Sequence, residues 1–372
     1  MPGIGVSVTK GKGLTNSSTK AVDRLESGSR VVIYGAGGFG KWISELCEGA
    51  GLSVAAVIDQ APGAADWCRV IGLEDELEEI ADLPVLLGVF SPQPDIVAIE
   101  ASLRARGYSS VLTPPQFFGW LGQQGRIAQR YWLSSDPLDQ GTAEGLAEAR
   151  ELLADEESRE VFDGIVAYRR GGGTETCPRP RHLSEQHTGI DFGFLPQVPG
   201  VVVDCGAYIG DTFSNWESAK LVHAEVLALE PDSTTFPEMV LAARESSLKV
   251  IPLPMGVAER TASYRVEGQG ASARLVEDPL GQVEAVSLDD LLAGTRASFI
   301  KMDIEGGEAA ALRGAREVLQ RDRPHLAISI YHTPADLWEI ITWLDRNVGG
   351  YEFRLRVYGH QGYDTVLYAR IV

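Results

Sequence analysis

The chain has 372 residues, 44% of them hydrophobic, and sets 52 acidic side chains against 33 basic ones for a formal charge of -19. That size allows at least two hydrophobic cores, and the negative balance excludes nucleic acid as the main partner because a phosphate backbone would be repelled. The 4 cysteines lack C-x-x-C spacing, which argues against both a disulfide framework and a zinc site.

Residues 1–28, opening "MPGIGVSVTKGKGLTNSSTK", carry lysines but no hydrophobic region, so they read as a flexible tail and not a secretory signal. No apolar run approaches the ~20 residues of a membrane span. A cytoplasmic protein without a membrane partner is expected, and a homo-oligomer is left open.

An apolar strand, Arg30–Tyr34, leads into Gly35-Ala36-Gly37-Gly38-Phe39-Gly40 and a helix. "SVAAVID" is a second strand ending in Asp59, and Val85–Phe90 and Ser109–Thr113 are two more with "DIVAIEASLRARG" a helix between them. Strand and helix alternate, so residues 29–122 are predicted to form a Rossmann-like α/β unit with a parallel sheet. Residues 123–195 read as a helical connector, with "GGGTETCPRPR" a flexible loop. A second α/β alternation fills residues 196–372, with strands "VVVD", "EVLALE", "LKVIPLPMGV", "SFIKMDIE" and "HLAISIY". It closes on "FRLRVYG" and "DTVLYARIV" as a hairpin.

The two units open on similar glycine loops with different charges. The first, through Gly35, Gly37 and Gly40, has the G-x-G-x-x-G form, with Asp59 placed as a ribose-binding acid and Lys41 following the last glycine. It suits a pyrophosphate at a helix N-terminus, hence a nucleotide or nucleotide sugar; plain helix–sheet packing is the alternative. In the second, "VVVDCGAYIGDT", Asp204 ends the strand, Gly206 and Gly210 turn the chain, and Asp211 starts the helix. An acid there occupies the place of a pyrophosphate, so a cationic ligand fits better. S-adenosylmethionine carries a sulfonium and an ammonium group, and Glu230, ending "VLALEPD", can accept both ribose hydroxyl protons. The expected cofactor contacts are Asp204, Gly206, Ala207, Tyr208, Gly210, Asp211, Glu230, Pro231 and Asp303.

"VVVDCGAYIGDT", "ALEPD", "VSLDDLL", "FIKMDIEGGEAAALRGA" and "LAISIYHTPADLWEI", in this order, resemble the FkbM family of S-adenosylmethionine-dependent methyltransferases. The resemblance runs from about Pro199 to the C-terminus. It implies a class I methyltransferase fold and O-methylation of a hydroxyl on a sugar, polyketide or other secondary metabolite. Similar members also carry an N-terminal Rossmann-like unit. The upstream "HLSEQHTGIDFG" is similar to a lead-in segment of such enzymes, with Gln186-His187 in place of their glutamine–tyrosine pair.

At the acceptor end, alternation along an extended strand would point Asp303 and Glu305 to one face. "ISIYHTPAD" brings His332 to the end of the next strand. His332 is expected to be the base that takes the hydroxyl proton, with Asp303 orienting cofactor or acceptor and Glu305 holding the acceptor. Glu308, in the next helix's first turn, reads as structural. Two acids and one histidine do not predict a dedicated metal site, so a divalent metal is the rival chemistry and is not expected. The other histidines (His182, His187, His223, His325, His360) show no ligand spacing. Two other classes remain open: an NAD-dependent oxidoreductase or nucleotide-sugar-binding protein acting through the first loop, and a scaffold with two vestigial nucleotide folds. The first lacks a Y-x-x-x-K pair, and the second leaves the acids at 204, 230 and 303 unexplained.

Overall fold

The computed structural model describes residues 25–371 apart from 62–64, 66, 69, 73–74, 76–79, 138–140, 197–198, 222–224 and 268–273. The tail expected over residues 1–28 therefore lies almost wholly outside the described residues, as does His223. The chain divides into two units.

The first unit holds a five-stranded sheet. Its strands are β1 (Arg30–Tyr34), β2 (Ser53–Asp59), β3 (Val70–Gly72), β4 (Val85–Leu87) and β5 (Val111–Leu112), in the order β3-β2-β1-β4-β5. Every pairing is parallel. β1 and β4 are buried almost end to end, as a parallel sheet covered on both faces requires. The helices start on local signals: Asp95 accepts from the Val97 and Ala98 amides, and Thr113 and Gln116 form a reciprocal capping box.

The second unit takes up residues 91–94, 126–169 and 177–372. The stretch read as a helical connector is thus shared. Its two helices, Ala143–Glu151 and Glu156–Arg169, belong to the second unit, whereas residues 170–176 belong to the first. The connector also contains a short antiparallel hairpin, β6 (Gln129–Arg130) and β7 (Leu133–Ser134), where only helix was expected.

The rest of this unit is built on β8 (Val201–Cys205), β9 (Glu225–Leu229), β10 (Lys249–Leu253), β11 (Gly256–Val257), β12 (Ala262–Glu267), β13 (Arg274–Glu277), β14 (Val283–Val286), β15 (Ala297–Met302), β16 (His325–Ser329), β17 (Tyr351–Val357) and β18 (Thr365–Ile371). Seven of them form the main sheet, in the order β10-β9-β8-β15-β16-β18-β17. Five run parallel, and the terminal pair is the expected hairpin, with β18 antiparallel to both β16 and β17.

Alternation along these strands makes two cores. Val203, Cys205, Leu229, Ile300, Met302, Leu326 and Ile328 face one way, while Val202, Val226, Ala228, Phe299 and Ala327 face the other. The predicted strand "LKVIPLPMGV" is instead split: Pro252 is tolerated within β10 because that strand is at the sheet edge, Pro254 follows its end, and β11 leaves for a four-stranded side sheet in the order β11-β14-β12-β13. Asp204, Glu230 and Asp303 fall at C-terminal ends of the main sheet's parallel strands. Open α/β sheets place ligands at that edge.

Candidate active site

The turn after β8 is shaped by contacts only glycine permits. Gly206 has φ +78, and a Cβ there would lie 2.0 Å from the Asp303 carbonyl oxygen. The amides of Gly206 and Ala207 both donate to Leu229 O, at 3.0 and 2.9 Å. Gly210, at φ +83, starts the helix Asp211–Ser218. Ala207 is fully buried, whereas Tyr208 holds a left-handed φ of +48 and is 56% exposed. Asp211 is exposed on the helix's first residue.

Asp204 is placed differently from expectation. Its side chain has no exposed surface, and its ionic partner is Lys301, with Nζ 2.9 Å from Oδ1. Lys301 Nζ also donates to Gly206 O at 2.6 Å. Burial works against a charge on Lys301, but Asp204 and then Asp303 outweigh it and hold the ammonium protonated. The carboxylate therefore offers a ligand no contact of its own. It acts through the turn that it and Lys301 fix from below.

Glu230 follows β9 and is 7% exposed. Its Oε2 accepts the Tyr208 amide and its Oε1 the Asp232 amide, each at 2.9 Å. Burial pushes its pKa up against these bonds. The Thr235 side chain also hydrogen-bonds the carboxylate, which leaves one of its roughly four acceptor sites for a ribose hydroxyl. Pro231 lies beside Gly256, where a Cβ would approach its own Cβ to 3.7 Å.

Asp303 leaves β15 with its amide bonded to Cys205 O at 3.0 Å. The strand stops there, so strand alternation does not carry Glu305 to the same face. A left-handed φ of +56 at Glu305 does. His332 Nε2 lies 3.4 Å from Asp303 Oδ1 and 3.6 Å from Glu305 Oε2, and Nδ1 lies 2.9 Å from Glu308 Oε1. The sequence reading left Glu308 structural, yet it is wholly buried and also accepts the Ile304 amide at 2.8 Å. Its spacing to His332 depends on two loops, so no local signal could have paired them.

Burial alone would strip a proton from His332, but Glu308, Asp303 and Glu305 together outweigh it and push its pKa up to about 10. The surrounding acids thus favour the protonated imidazole, the opposite of what a free base needs. Glu305 is raised to about 7 by burial, with Asp303 and Glu308 adding and His332 opposing. Asp303, Glu308 and His332 can each place one donor atom within 4.8 Å of the others, the spacing a metal ion needs.

Aromatic rings flank the cluster: Tyr331, which the sequence brings to the strand end beside His332, and Tyr131 and Tyr363, which the sequence reading did not single out. Tyr331 lies 4.2 Å from the His332 ring, centroid to centroid, and Tyr131 from the β6–β7 hairpin lies 6.1 Å away. Tyr363 meets Tyr131 edge-on at 5.4 Å. Asp364, at φ +51, is raised to about 6, first by burial and then by Asp303, while a hydrogen bond from Tyr331 opposes the rise. His187 is buried with a left-handed φ of +58, and its carbonyl accepts the Trp216 indole N–H at 3.2 Å.

In the first unit, Asp59 Oδ2 accepts the Ala36 amide at 2.7 Å and Oδ1 the Ala61 amide at 2.9 Å. A Cβ on Gly35 would meet Gly88 O at 2.7 Å, and one on Gly40 would meet Gly35 O at 1.9 Å, so packing alone demands both glycines. Gly37 and Gly38 are different: among the described residues nothing stands within 4 Å of a Cβ there. The helix Gly38–Gly49 starts without a side-chain cap or an acid in its first turn.

No helix among the described residues is long and apolar enough to cross a membrane. Residues 204–353 match the methyltransferase FkbM domain, and residues 30–87 match the PglD N-terminal domain. A crystal structure of a methyltransferase FkbM from Methylobacillus flagellatus KT superposes with a TM-score of 0.74 at 24% identity, over 96% of this chain and 94% of that one. Two further structures are remote in shape and bear no weight. Aeropyrum pernix fibrillarin with natively bound S-adenosyl-L-methionine has a TM-score of 0.29 at 13% identity, over 46% of this chain and 66% of that one. A SAM dependent methyltransferase from Aquifex aeolicus has a TM-score of 0.30 at 17% identity, over 61% of this chain and 98% of that one. No curated protein matches the chain.

Proposed function

Starting from the FkbM methyltransferase domain that residues 204–353 carry, we propose that this methyltransferase moves a methyl group from S-adenosylmethionine to a hydroxyl of a small molecule. A sugar or another secondary metabolite in the cytoplasm is the acceptor in this reading. The observation that carries it is the Glu230 carboxylate. It ties the glycine turn to the next strand end, keeps acceptor capacity beyond its bonds to Tyr208, Asp232 and Thr235, and neighbours a turn bordered by the acids Asp211 and Asp303. That field suits a sulfonium and an ammonium and repels a pyrophosphate.

S-adenosylmethionine supplies a methyl carbon on positively charged sulfur, open to in-line displacement by oxygen. Glu230 holds a ribose hydroxyl, and the 206–210 turn sets the depth of the adenosyl group. Asp303, Glu305 and His332 receive the acceptor. Holding an oxygen behind the methyl carbon can contribute ~7–11 kcal/mol. The hydroxyl proton is lost at this cluster, and a cationic donor beside Asp303 weakens the hold of the acids on the proton of His332.

Titration calorimetry with S-adenosylhomocysteine and a labelled-methyl screen over sugars, nucleotide sugars and glycosylated metabolites test the reading. His332→Gln is expected to keep its affinity for S-adenosylhomocysteine while turnover falls by ~10²–10⁴. A chain that binds no S-adenosylhomocysteine, or full turnover in His332→Gln, refutes it. Open space over Gly37 and Gly38 favours a second ligand, a nucleotide or nucleotide sugar, on the first unit. Native mass spectrometry with NAD and nucleotide sugars checks that, and no adduct would leave the loop a packing device.

A further inference from the structure

Three carboxylates, those of Asp303, Glu305 and Glu308, surround one imidazole. Among the described residues no lysine or arginine is ion-paired with any of the three. His332 is only 5% exposed, and its Nε2 has no hydrogen-bond partner. The fully buried Glu308 Oε2 lacks one as well. An imidazole nitrogen so deeply buried is normally satisfied, so the orphan Nε2, facing two carboxylates, calls for a missing group.

The geometry specifies what is missing. Glu308 grips Nδ1 at 2.9 Å, which turns Nε2 toward Asp303 at 3.4 Å and Glu305 at 3.6 Å. Neighbouring donors on an ion bound at ~2.1–2.4 Å stand roughly 3.0–3.4 Å apart, and His332 Nε2 and Asp303 Oδ1 already stand at that spacing, with Glu305 the next carboxylate out. A carboxylate behind the imidazole is the usual support of a metal-binding histidine. The side chains of Asp303 and Glu305 are 24% and 42% exposed, which leaves an open face for solvent or substrate.

We propose that His332 Nε2, Asp303 and Glu305 hold one divalent cation, with Glu308 fixing the imidazole from behind. Mixed nitrogen and oxygen donors favour manganese, iron or zinc over calcium. On the hydroxyl-methylation reading, from which the site takes its purpose, the ion draws electron density from the acceptor oxygen. The hydroxyl proton departs to water, the C–O bond forms, and the C–S bond breaks with its electron pair left on sulfur.

The test uses the full chain stripped with chelator and titrated with Mn2+ by electron paramagnetic resonance. Calorimetry with S-adenosylhomocysteine on the same samples reports fold and the methyltransferase reading separately. One Mn2+ per chain is expected, with a nitrogen coupling in the pulsed spectrum. His332→Gln should abolish that coupling, and His332→Gln and Asp303→Asn should each weaken binding at least ~10-fold. Glu308→Gln should weaken it by ~10–100-fold, and Glu245→Gln, on an exposed helix position, should not change it. Absence of Mn2+, Zn2+ and Mg2+ binding overturns the site. Uptake that is equal in wild type and both ligand variants and lacks nitrogen coupling also overturns it. If S-adenosylhomocysteine fails to bind while Mn2+ behaves as expected, the site stands and its assignment to methyl transfer falls.

Discussion

Replacing Lys301 by methionine probes the floor of the glycine turn after β8. The wild-type ammonium is 2% exposed, lies 2.9 Å from Asp204 and donates to Gly206 O at 2.6 Å. Lys301→Met strands a carboxylate in the core, which costs about 3–5 kcal/mol. For a unit of this size that lowers the melting temperature by about 6–20 °C. The double variant Lys301→Met/Asp204→Leu removes both charges and is expected to recover most of the loss, because an apolar pair can replace a buried ion pair at little cost. Affinity for S-adenosylhomocysteine should not recover, since the Gly206 carbonyl stays untethered; a deficit of about tenfold corresponds to ~1.4 kcal/mol. Thermal unfolding by circular dichroism and calorimetry on the three proteins decide the matter. A single variant as stable as wild type, or a double variant as unstable as the single, would refute the reasoning.

Glu230→Ala leaves the Tyr208 and Asp232 amides without their acceptor. Hydrogen bonds to a charged group contribute ~1.5–3 kcal/mol, so calorimetry should show S-adenosylhomocysteine binding ~10–100-fold weaker. Gly206→Ala forces a Cβ to within 2.0 Å of Asp303 O at φ +78, and urea titration should show a loss of ~2–5 kcal/mol from overpacking and left-handed strain. Asp155 governs the acid limb of stability. Burial would raise its pKa, but Arg356, 2.9 Å from Oδ2, and Ser158 hold it well below the carboxylate range. Its stabilisation is therefore full above the unfolded pKa of ~3.9 and is lost as pH falls toward the folded value. Melting of Asp155→Asn should be lower at neutral pH and flatter below about pH 4, and parallel curves for the two proteins would remove Asp155 from that role.

Strands and their ends were legible where burial is local. β1 and β2 lie where "RVVIY" and "SVAAVID" put them, because both are short apolar runs bounded by turn residues. The acids at 204, 230 and 303 were legible as a set because each ends such a run. Their partners were not. Lys301 reads as an isolated charge inside "SFIKMDIE", and only the β8–β15 register, which seats Lys301 opposite Asp204, makes it a counterion. Glu308 looked like a helix-start acid, since an acid in a first turn needs no further reason. Tyr131 sat in a stretch read as part of the helical connector, and the two-residue strands of its hairpin are too short to show a period.

The side chains of this cluster hang from the ends of β8, β9, β15 and β16, the innermost ladder of the second unit. β15 is buried along its whole length and the other three along most of theirs. Such a mounting has a price for adaptability: the spacing of its acids cannot soften without the interior coming apart. Heat inactivation and melting of the sheet should therefore coincide.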